Sequence, residues 1–72
     1  MSQQVSIHTE YIPLGQFLKL AGIIQTGGMA KPFLAEVPIR VNGEEDNRRG
    51  RKLYPGDKIE VEGYGIYVVT GQ

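Results

Sequence analysis

The chain has 72 residues, one histidine, no cysteine, and eight basic against eight acidic side chains. This length fits one small domain, and without cysteine it holds neither a disulfide nor a cysteine zinc site. No apolar run approaches the roughly 20 residues that span a bilayer, and the N-terminus lacks the apolar stretch of a signal peptide. We therefore expect residues 1–72 to form a single domain of a cytoplasmic protein with no membrane contact and no cofactor.

The positive charge is unevenly distributed along the chain. Zero net charge and a pI near 6.6 argue mildly against a nucleic-acid partner. Half of the basic side chains nevertheless lie in residues 47–52 (NRRGRK), and we call them the basic cluster: Arg48, Arg49, Arg51 and Lys52. Because a ligand responds to the local field, this cluster indicates an anionic partner. An ordinary solvated loop is the alternative.

The first half of the chain predicts one strand and a first short helix. Val5 and Ile7 alternate with polar residues, as in a half-buried strand. Pro13 suits a first helical turn, and residues 14–22 (LGQFLKLAG) then carry one apolar stripe that ends at Gly22. The stripe comprises Leu14, Phe17, Leu18 and Ala21.

A second helix is predicted to follow Thr26, whose hydroxyl is expected to cap its N-terminus. Its apolar stripe comprises Met29, Ala30, Phe33, Leu34 and Val37. Pro32 has to lie within about the first turn, and Pro38 prevents continuation. Helices this short are unstable alone in water, so both are expected to pack against the rest of the fold.

The second half predicts strands and turns. Residues 39–43 (IRVNG) place Ile39 and Val41 on one face of a strand that ends in an Asn-Gly hairpin signal. Residues 44–52 carry no apolar side chain, so any strand there would be exposed. Residues 54–57 (YPGD) indicate a turn.

Two further strands complete the chain. The segment KIEVE alternates Ile59 and Val61 inward with charged residues outward, and GYGIYVV gives a last strand. We expect this last strand to carry Tyr64, Ile66 and Val68 on one side. The predicted fold class is α+β, with two short helices packed on a small, mainly antiparallel β-sheet.

Residues 14–61 resemble the small RNA-binding domain named for the S-four protein of the ribosomal small subunit, also called the alpha-L motif. The resemblance rests on the helix pair followed by IRVNG, RRGRKL and PGDKIEV, in that family's order and spacing. The strings GGMAK and RRGRKLYPGD resemble those of its small stand-alone YaaA-like bacterial proteins. The resemblance implies an alpha-L fold and a non-enzymatic protein that binds structured ribosomal RNA and acts in large-subunit assembly. We expect it to be a monomer.

The resemblance also implies which residues meet RNA. They lie at the start of the second helix, one turn into it, and from the IRVNG strand to the basic cluster. The matching residues here are Thr26, Lys31, Arg40, Asn42, Arg48, Arg49, Arg51 and Lys52. Two positions depart from the family: Gly27 stands where many members have an arginine, and Val37 stands where a glycine usually ends the helix.

Gly27 and Gly28 are further candidates for RNA contact. Bare N–H groups at a helix start attract anions, and glycine lets a phosphate approach closely. A flexible turn is the equal alternative. Gly50, inside the basic cluster, can serve either purpose in the same way.

Other polar and aromatic residues have simpler interpretations. Asp57 is expected to bond its own turn, and His8 to lie on a strand surface. Glu44, Glu45 and Asp46 are interpreted as a solvated hairpin tip. Tyr64 and Tyr67 suit core packing better than base stacking.

Two other function classes remain open. VNGEED and GDKIEV also resemble ubiquitin-like sulfur carriers, but those end in Gly-Gly whereas this chain ends in TGQ. A protein-interaction adaptor whose basic loop docks an acidic protein is the second alternative. An enzyme is not expected, because the sequence has no nucleotide loop, metal-ligand set or nucleophile constellation.

Overall fold

The structure is a computed structural model that describes residues 2–71. Its strands are β1 (Ser2–Ile7), β2 (Ile12–Pro13), β3 (Ile39–Val41), β4 (Glu44–Glu45), β5 (Lys52–Leu53), β6 (Lys58–Val61) and β7 (Gly65–Gly71), and its helices are α1 (Leu14–Leu20) and α2 (Ala30–Glu36). A single 3₁₀ turn, Gly27–Met29, leads into α2. The predicted α+β class is confirmed. Within residues 2–71 no helix has the length and apolar character needed to cross a bilayer.

Five strands form the main sheet, in the order β1-β7-β6-β3-β4. The pairs β3–β4, β3–β6 and β6–β7 are antiparallel, whereas β1 runs parallel to β7 over residues 2–7 and 66–71. The first strand of the chain therefore lies beside the last, a long-range pairing that sequence periodicity did not predict. Strands β2 and β5 form a separate two-stranded ladder.

Both helices contribute to a core on one face of the main sheet. The core residues are Val5, Ile7, Leu14, Phe17, Leu18, Ile24, Ala30, Leu34, Ile39, Val41, Leu53, Ile59, Val61, Tyr67 and Val69. Phe17 of α1 meets Tyr67 of β7 edge-to-face, with 6.1 Å between the ring centroids. The predicted inward positions of β1, β3 and β6 are all in this core.

Helix α1 ends as predicted. Gly22 follows the C-cap residue Ala21 and has φ +80°, a conformation that favours glycine. Its N–H donates to the carbonyl of Lys19, and the N–H of Ile23 donates to that of Leu18. Pro13 lies one residue before the helix rather than inside its first turn.

The start of α2 differs from the prediction in two respects. Thr26 holds the N-cap position of the 3₁₀ turn, but its hydroxyl makes no capping bond, and only its backbone carbonyl accepts a hydrogen bond, from the N–H of Met29. Met29 was expected on the apolar stripe but is exposed, because the chain is still in the 3₁₀ turn there. Pro32 lies at the third position of α2, where proline is tolerated.

Helix α2 ends without a left-handed residue. Val37 is extended at φ −111° and ψ 118°, the region that a residue before proline prefers. Its N–H still donates to the carbonyl of Phe33. Pro38 therefore ends the helix at the position where a glycine usually does so in the resembling family.

Both predicted turns of the second half are confirmed. Asn42 and Gly43 have φ +53° and +86°, as in the type I′ turn of a tight hairpin, and they connect β3 to β4. Gly56 has φ +98° in the turn before β6. Asp57 donates its N–H to the carbonyl of Tyr54, and its carboxylate accepts the N–H of Tyr54, as expected of a turn residue.

The buried side chains of strand β7 alternate with the set that was expected to share one side of it. Tyr67 and Val69 are buried, whereas Ile66 and Val68 lie on the open face of the sheet and are half-buried. Tyr64 precedes the strand and packs edge-to-face on Phe33, with 5.4 Å between the ring centroids. It is nevertheless exposed and lies outside the core, so the expectation of core packing is wrong for Tyr64. A run of apolar residues on both phases gave no signal for the choice of face.

Candidate nucleic-acid interface

The loop of residues 46–51 is attached to the start of helix α1. The first N–H groups of a helix have no partner within the helix. Here Leu14 donates its N–H to the carbonyl of Arg51 at 2.8 Å, and Gly15 donates to the carbonyl of Arg49 at 2.9 Å. The backbone of the basic cluster therefore caps α1, which fixes where its side chains emerge.

Gly15 allows this loop and α2 to approach α1 closely. A Cβ atom at Gly15 would lie 3.3 Å from the Cβ atoms of both Ala30 and Arg49, tighter than ordinary van der Waals contact. Gly15 was not among the residues predicted to shape the site. The signal available was a glycine early in a helical segment, where it costs helix stability relative to alanine.

Arg49 connects two shallow clefts on the helix side of the molecule. One cleft, of about 320 Å³, lies between the loop and α2 and contains Lys31 and Asn47. The other lies against the start of α1 and contains Gly27 and Gly50. The structure thus brings together three of the expected residues, Gly27, Lys31 and Arg49, with Gly50 beside them. We call these four residues the helix-side surface.

Asp46 organises the opposite side of the loop. Its carboxylate accepts hydrogen bonds from Arg48 Nε at 3.1 Å and Nη2 at 2.8 Å, and from Arg51 Nη1 at 2.9 Å. Only 9% of its side chain is exposed. The interpretation of Asp46 as part of a solvated hairpin tip is wrong, although Glu44 and Glu45 are exposed as expected.

These contacts shift the pKa values of Asp46 and Arg48. The side-chain hydrogen bond from Arg48, helped by bonds from its backbone N–H and from Arg51, holds the pKa of Asp46 well below its usual range. The same bond raises the pKa of the Arg48 guanidinium. Together the three side chains carry one net positive charge, so the cluster is less basic than its composition indicates.

Lys52 lies outside this ion-pair group. It follows the loop on β5, opposite Pro13 of β2. Its Nζ is 5.0 Å from the centroid of the Tyr11 ring, within reach of a cation–π interaction. Within residues 2–71, Lys52 and Arg49 are the two members of the cluster that make no ion pair.

The structure does not bring Arg40 to the helix-side surface. Its neighbours Ile39 and Val41 point into the core, so Arg40 points to the open face of the sheet. There it lies between Glu45 of β4 and Glu60 of β6.

Asn42 is occupied by bonds within the protein. Its Nδ2 donates to Asp57 Oδ1 at 3.0 Å, and its Oδ1 accepts the N–H of Lys58 at 2.9 Å. These bonds join the β3–β4 turn to the start of β6. The side chain of Asn42 therefore stabilises the packing of this turn against β6.

Comparisons with known proteins identify the family of this chain. The family model described as S4 domain matches residues 5–69. The protein belongs to the S4 domain family. A Bacillus subtilis (strain 168) protein named "Probable ribosome maturation protein RlbA" is 62% identical to this S4 domain over 70 residues, which cover 97% of this chain and 99% of the relative. "Putative RNA-binding protein YbcJ" of Escherichia coli (strain K12) is 30% identical over 60 residues, which cover 83% of this chain and 86% of the relative.

In this S4 domain, the glycines before α2 leave open space. A Cβ atom at Gly27 would meet nothing within 4 Å, and one at Gly28 would meet only the Thr26 hydroxyl at 4.0 Å. Gly50 is equally open, and none of the three has the positive φ that favours glycine. The fold itself therefore does not require glycine at these positions.

The remaining candidates are settled by burial. Tyr67 is in the core, which leaves no ring face for a base, as the packing interpretation expected. His8 is exposed directly after β1. Among residues 2–71, no three His, Cys, Asp or Glu side chains are grouped so that they could hold a metal ion.

Proposed function

We propose that this S4 domain is a non-enzymatic bacterial protein that binds structured ribosomal RNA in the cytoplasm and acts on precursors of the large ribosomal subunit. The family and the names of its relatives support RNA binding and ribosome maturation. In this proposal, residues 1–72 work as one domain and as a monomer. The RNA is the only partner that the proposal requires.

The attachment of the basic loop to α1 is the observation that carries this proposal. Two backbone hydrogen bonds, from Leu14 and Gly15, hold the carbonyls of Arg51 and Arg49. The side chain of Arg49 therefore emerges beside Lys31 of α2 without the entropy cost of ordering a free loop. The same bonds that cap α1 therefore also fix the place of Arg49 beside Lys31.

The helix-side surface suits phosphate groups and the shape of a folded RNA. Arg49 offers a planar fork for two phosphate oxygens, and Lys31 offers a mobile point charge. Gly27 and Gly50 leave room for the RNA backbone between them. Few side chains here could read base edges, which favours recognition by shape. We assign both Arg40, on the open face of the sheet, and Asn42, bonded to Asp57 and Lys58, to positions outside the contact.

A pair of matched double variants tests the proposal. Arg49→Ala with Lys31→Ala removes two positive charges from the helix-side surface. Arg40→Ala with Lys58→Ala removes two from the open face of the sheet, and both variants are checked for folding by circular dichroism. Each is expressed in cells that lack the native protein, and ribosomal particles are fractionated at low and high salt.

We expect the wild type and the Arg40/Lys58 variant to sediment with large-subunit precursors and to be released by salt. The Arg49/Lys31 variant should remain in the unbound fractions at both salt concentrations. Equal association of the two double variants would show that the helix-side surface does not bind the RNA. Absence of the wild type from every ribosomal particle would contradict the proposed function itself.

A further inference from the structure

Tyr11 and Tyr54 form an aromatic pair at the end of the β2–β5 ladder. Ile12 pairs with Leu53 in that ladder, so Tyr11 and Tyr54 are the next opposite residues. Their ring centroids are 5.9 Å apart and their planes are tilted by 45°. Leu53 is fully buried, and because side chains alternate along a strand, Tyr54 points outward.

Core packing does not account for this pair. Tyr11 and Tyr54 are 37% and 44% exposed as whole residues, and neither belongs to the core cluster. A domain this small gains much of its stability from each aromatic ring that it buries. Two partly exposed rings side by side, next to the basic cluster, indicate a surface that a ligand covers.

The cleft beside Tyr54 has a suitable size and charge. It is an open surface depression of about 640 Å³, which leaves room for a nucleotide beside Tyr54. Its lining residues are Arg48, Gly50, Arg51, Lys52, Tyr54 and Asp57. Both oxygens of the Asp57 carboxylate accept hydrogen bonds, one from Asn42 and one from the Tyr54 N–H. Asp57 therefore fixes the turn. Because Arg48 and Arg51 share Asp46, these three side chains, Lys52 and Asp57 together carry one net positive charge beside the cleft.

The residues around this cleft are held in place before any ligand arrives. Asp46 fixes the guanidinium groups of Arg48 and Arg51. Two hydrogen bonds with Asp57 fix the backbone of Tyr54: its N–H donates to the Asp57 carboxylate, and its carbonyl accepts the Asp57 N–H. Its ring lies against the Tyr11 ring. A preordered aromatic face beside two oriented guanidinium groups lowers the entropy cost of binding a planar ring attached to a phosphate.

We propose that Tyr54 stacks an unpaired nucleobase of the bound RNA, while Arg48, Arg51 and Lys52 hold the phosphates beside it. This site deepens the proposed RNA binding and rests on it. Lys52 lies over the Tyr11 ring, so Tyr11 supports the lysine and Tyr54 supplies the stacking face. Stacking accepts every base because every base has a π-face. The site therefore selects an unpaired nucleotide in a loop or bulge, whatever its sequence.

The test uses three RNA probes and three forms of the full chain. The probes are a fluorescein-labelled RNA hairpin with a six-nucleotide loop, the same hairpin with abasic loop positions, and a fully paired duplex of equal length. The proteins are the wild type, Tyr54→Phe and Tyr54→Leu. The Leu variant keeps an apolar cover over the ladder but has no π-face, and its denaturation midpoint confirms folding.

We expect the wild type and Tyr54→Phe to bind the intact hairpin about fivefold to 150-fold more tightly than the abasic hairpin, the range that stacking of one base provides. Tyr54→Leu should bind both hairpins with the weaker affinity and show the same salt dependence as the wild type, because no charge has changed. A 2-aminopurine in the loop should be quenched by the wild type and Tyr54→Phe only.

Each other outcome is informative. Equal affinity of the wild type for intact and abasic hairpins, or wild-type affinity in Tyr54→Leu, would overturn the stacking site while leaving salt-dependent RNA binding in place. Failure of the wild type to bind any of the three probes would count against the proposed function instead. Unchanged RNA affinity in Tyr54→Leu, combined with loss of association with ribosomal particles, would overturn stacking in favour of a protein contact at this pair.

Discussion

The amide nitrogen of Gly15 lies 2.9 Å from the carbonyl oxygen of Arg49, one of two hydrogen bonds that join the first turn of α1 to the basic loop. Gly15→Ala should disturb that junction, because the new Cβ would lie 3.3 Å from the Cβ atoms of Ala30 and Arg49. Crowding in a packed site costs about 1–3 kcal/mol, whereas replacing glycine in a helix gains about 0.5–1 kcal/mol. We expect slightly lower stability and a displaced Arg49, measured as amide chemical-shift changes at residues 49–51 and weaker RNA binding.

Leu20→Ala is the control for this variant, since Leu20 is an exposed residue at the other end of α1. It should leave the shifts of residues 49–51 and the RNA affinity unchanged. If Gly15→Ala binds RNA as the wild type does while the loop shifts move, then the position of Arg49 does not matter for binding.

Asp46 should make stability depend on pH in the acid range. Its folded-state pKa is lowered, chiefly by the side-chain hydrogen bond from Arg48. In the unfolded chain this carboxylate has the ordinary aspartate pKa of about 3.9. As the pH falls, the unfolded chain therefore takes up a proton before the folded protein does. Stability from this group is fully present above that value and is lost progressively as the pH falls toward the lowered folded pKa.

Asp46→Asn removes this contribution. The variant should be less stable than the wild type at pH 7, and its denaturation midpoint should fall less between pH 7 and pH 3. Arg48 is 70% exposed, so added salt should reduce the difference between the two proteins. Glu44→Gln, at an exposed acid of the same hairpin, provides the comparison and should follow the wild type. An Asp46→Asn midpoint that follows the wild type at both pH values would show that these ion pairs do not stabilise the fold.

Gly28 should be more important for binding than for folding. A side chain there has open space in the free protein, with the Thr26 hydroxyl at 4.0 Å as the nearest atom to a Cβ. In the series Gly28→Ala and Gly28→Leu, we expect melting temperatures close to the wild type and RNA affinity that falls as the side chain grows. Gln4→Leu, an exposed substitution on β1, controls for added apolar surface. A clear fall in melting temperature with little change in RNA affinity would contradict a role for Gly28 in RNA contact.

Local features of this fold were predictable because each has a cause within a few residues. The left-handed Gly22 ends α1, and Asn42 with Gly43 makes a tight hairpin, as their residue types indicate. The parallel pairing of β1 with β7 joins segments more than 60 residues apart, and strand periodicity carries no information about the partner. The buried phase of β7 was ambiguous for a related reason, since its residues are apolar on both faces.

The candidate site was predictable in content but not in arrangement. The basic cluster and Lys31 could be identified from residue type and from the family resemblance. Asp46 pairs with Arg48 and Arg51 but not with the other two members of the cluster. Spacing alone did not distinguish this acid from its exposed neighbour Glu45. The role of Gly15 depends on three segments meeting at one point, which only the folded chain shows.

Asn42 provides the last test, because the family resemblance implies an RNA contact while the structure shows bonds to Asp57 and Lys58. Asn42→Ala places an ordinary residue at φ +53°, which costs about 1–2 kcal/mol, and also removes the bonds. Asn42→Gly tolerates that φ and loses only the two side-chain bonds, a combined cost of about 1–3 kcal/mol. We expect denaturant titration to show that the wild type is the most stable of the three proteins, followed by Asn42→Gly, and that Asn42→Ala is the least stable.

RNA affinity and its salt dependence, measured where all three proteins are folded, should be equal, because Asn42 carries no charge and its amide already has partners. A drop in affinity of more than about tenfold in Asn42→Gly, the equivalent of about 1.4 kcal/mol, would instead place Asn42 against the RNA and extend the interface to the β3–β4 turn.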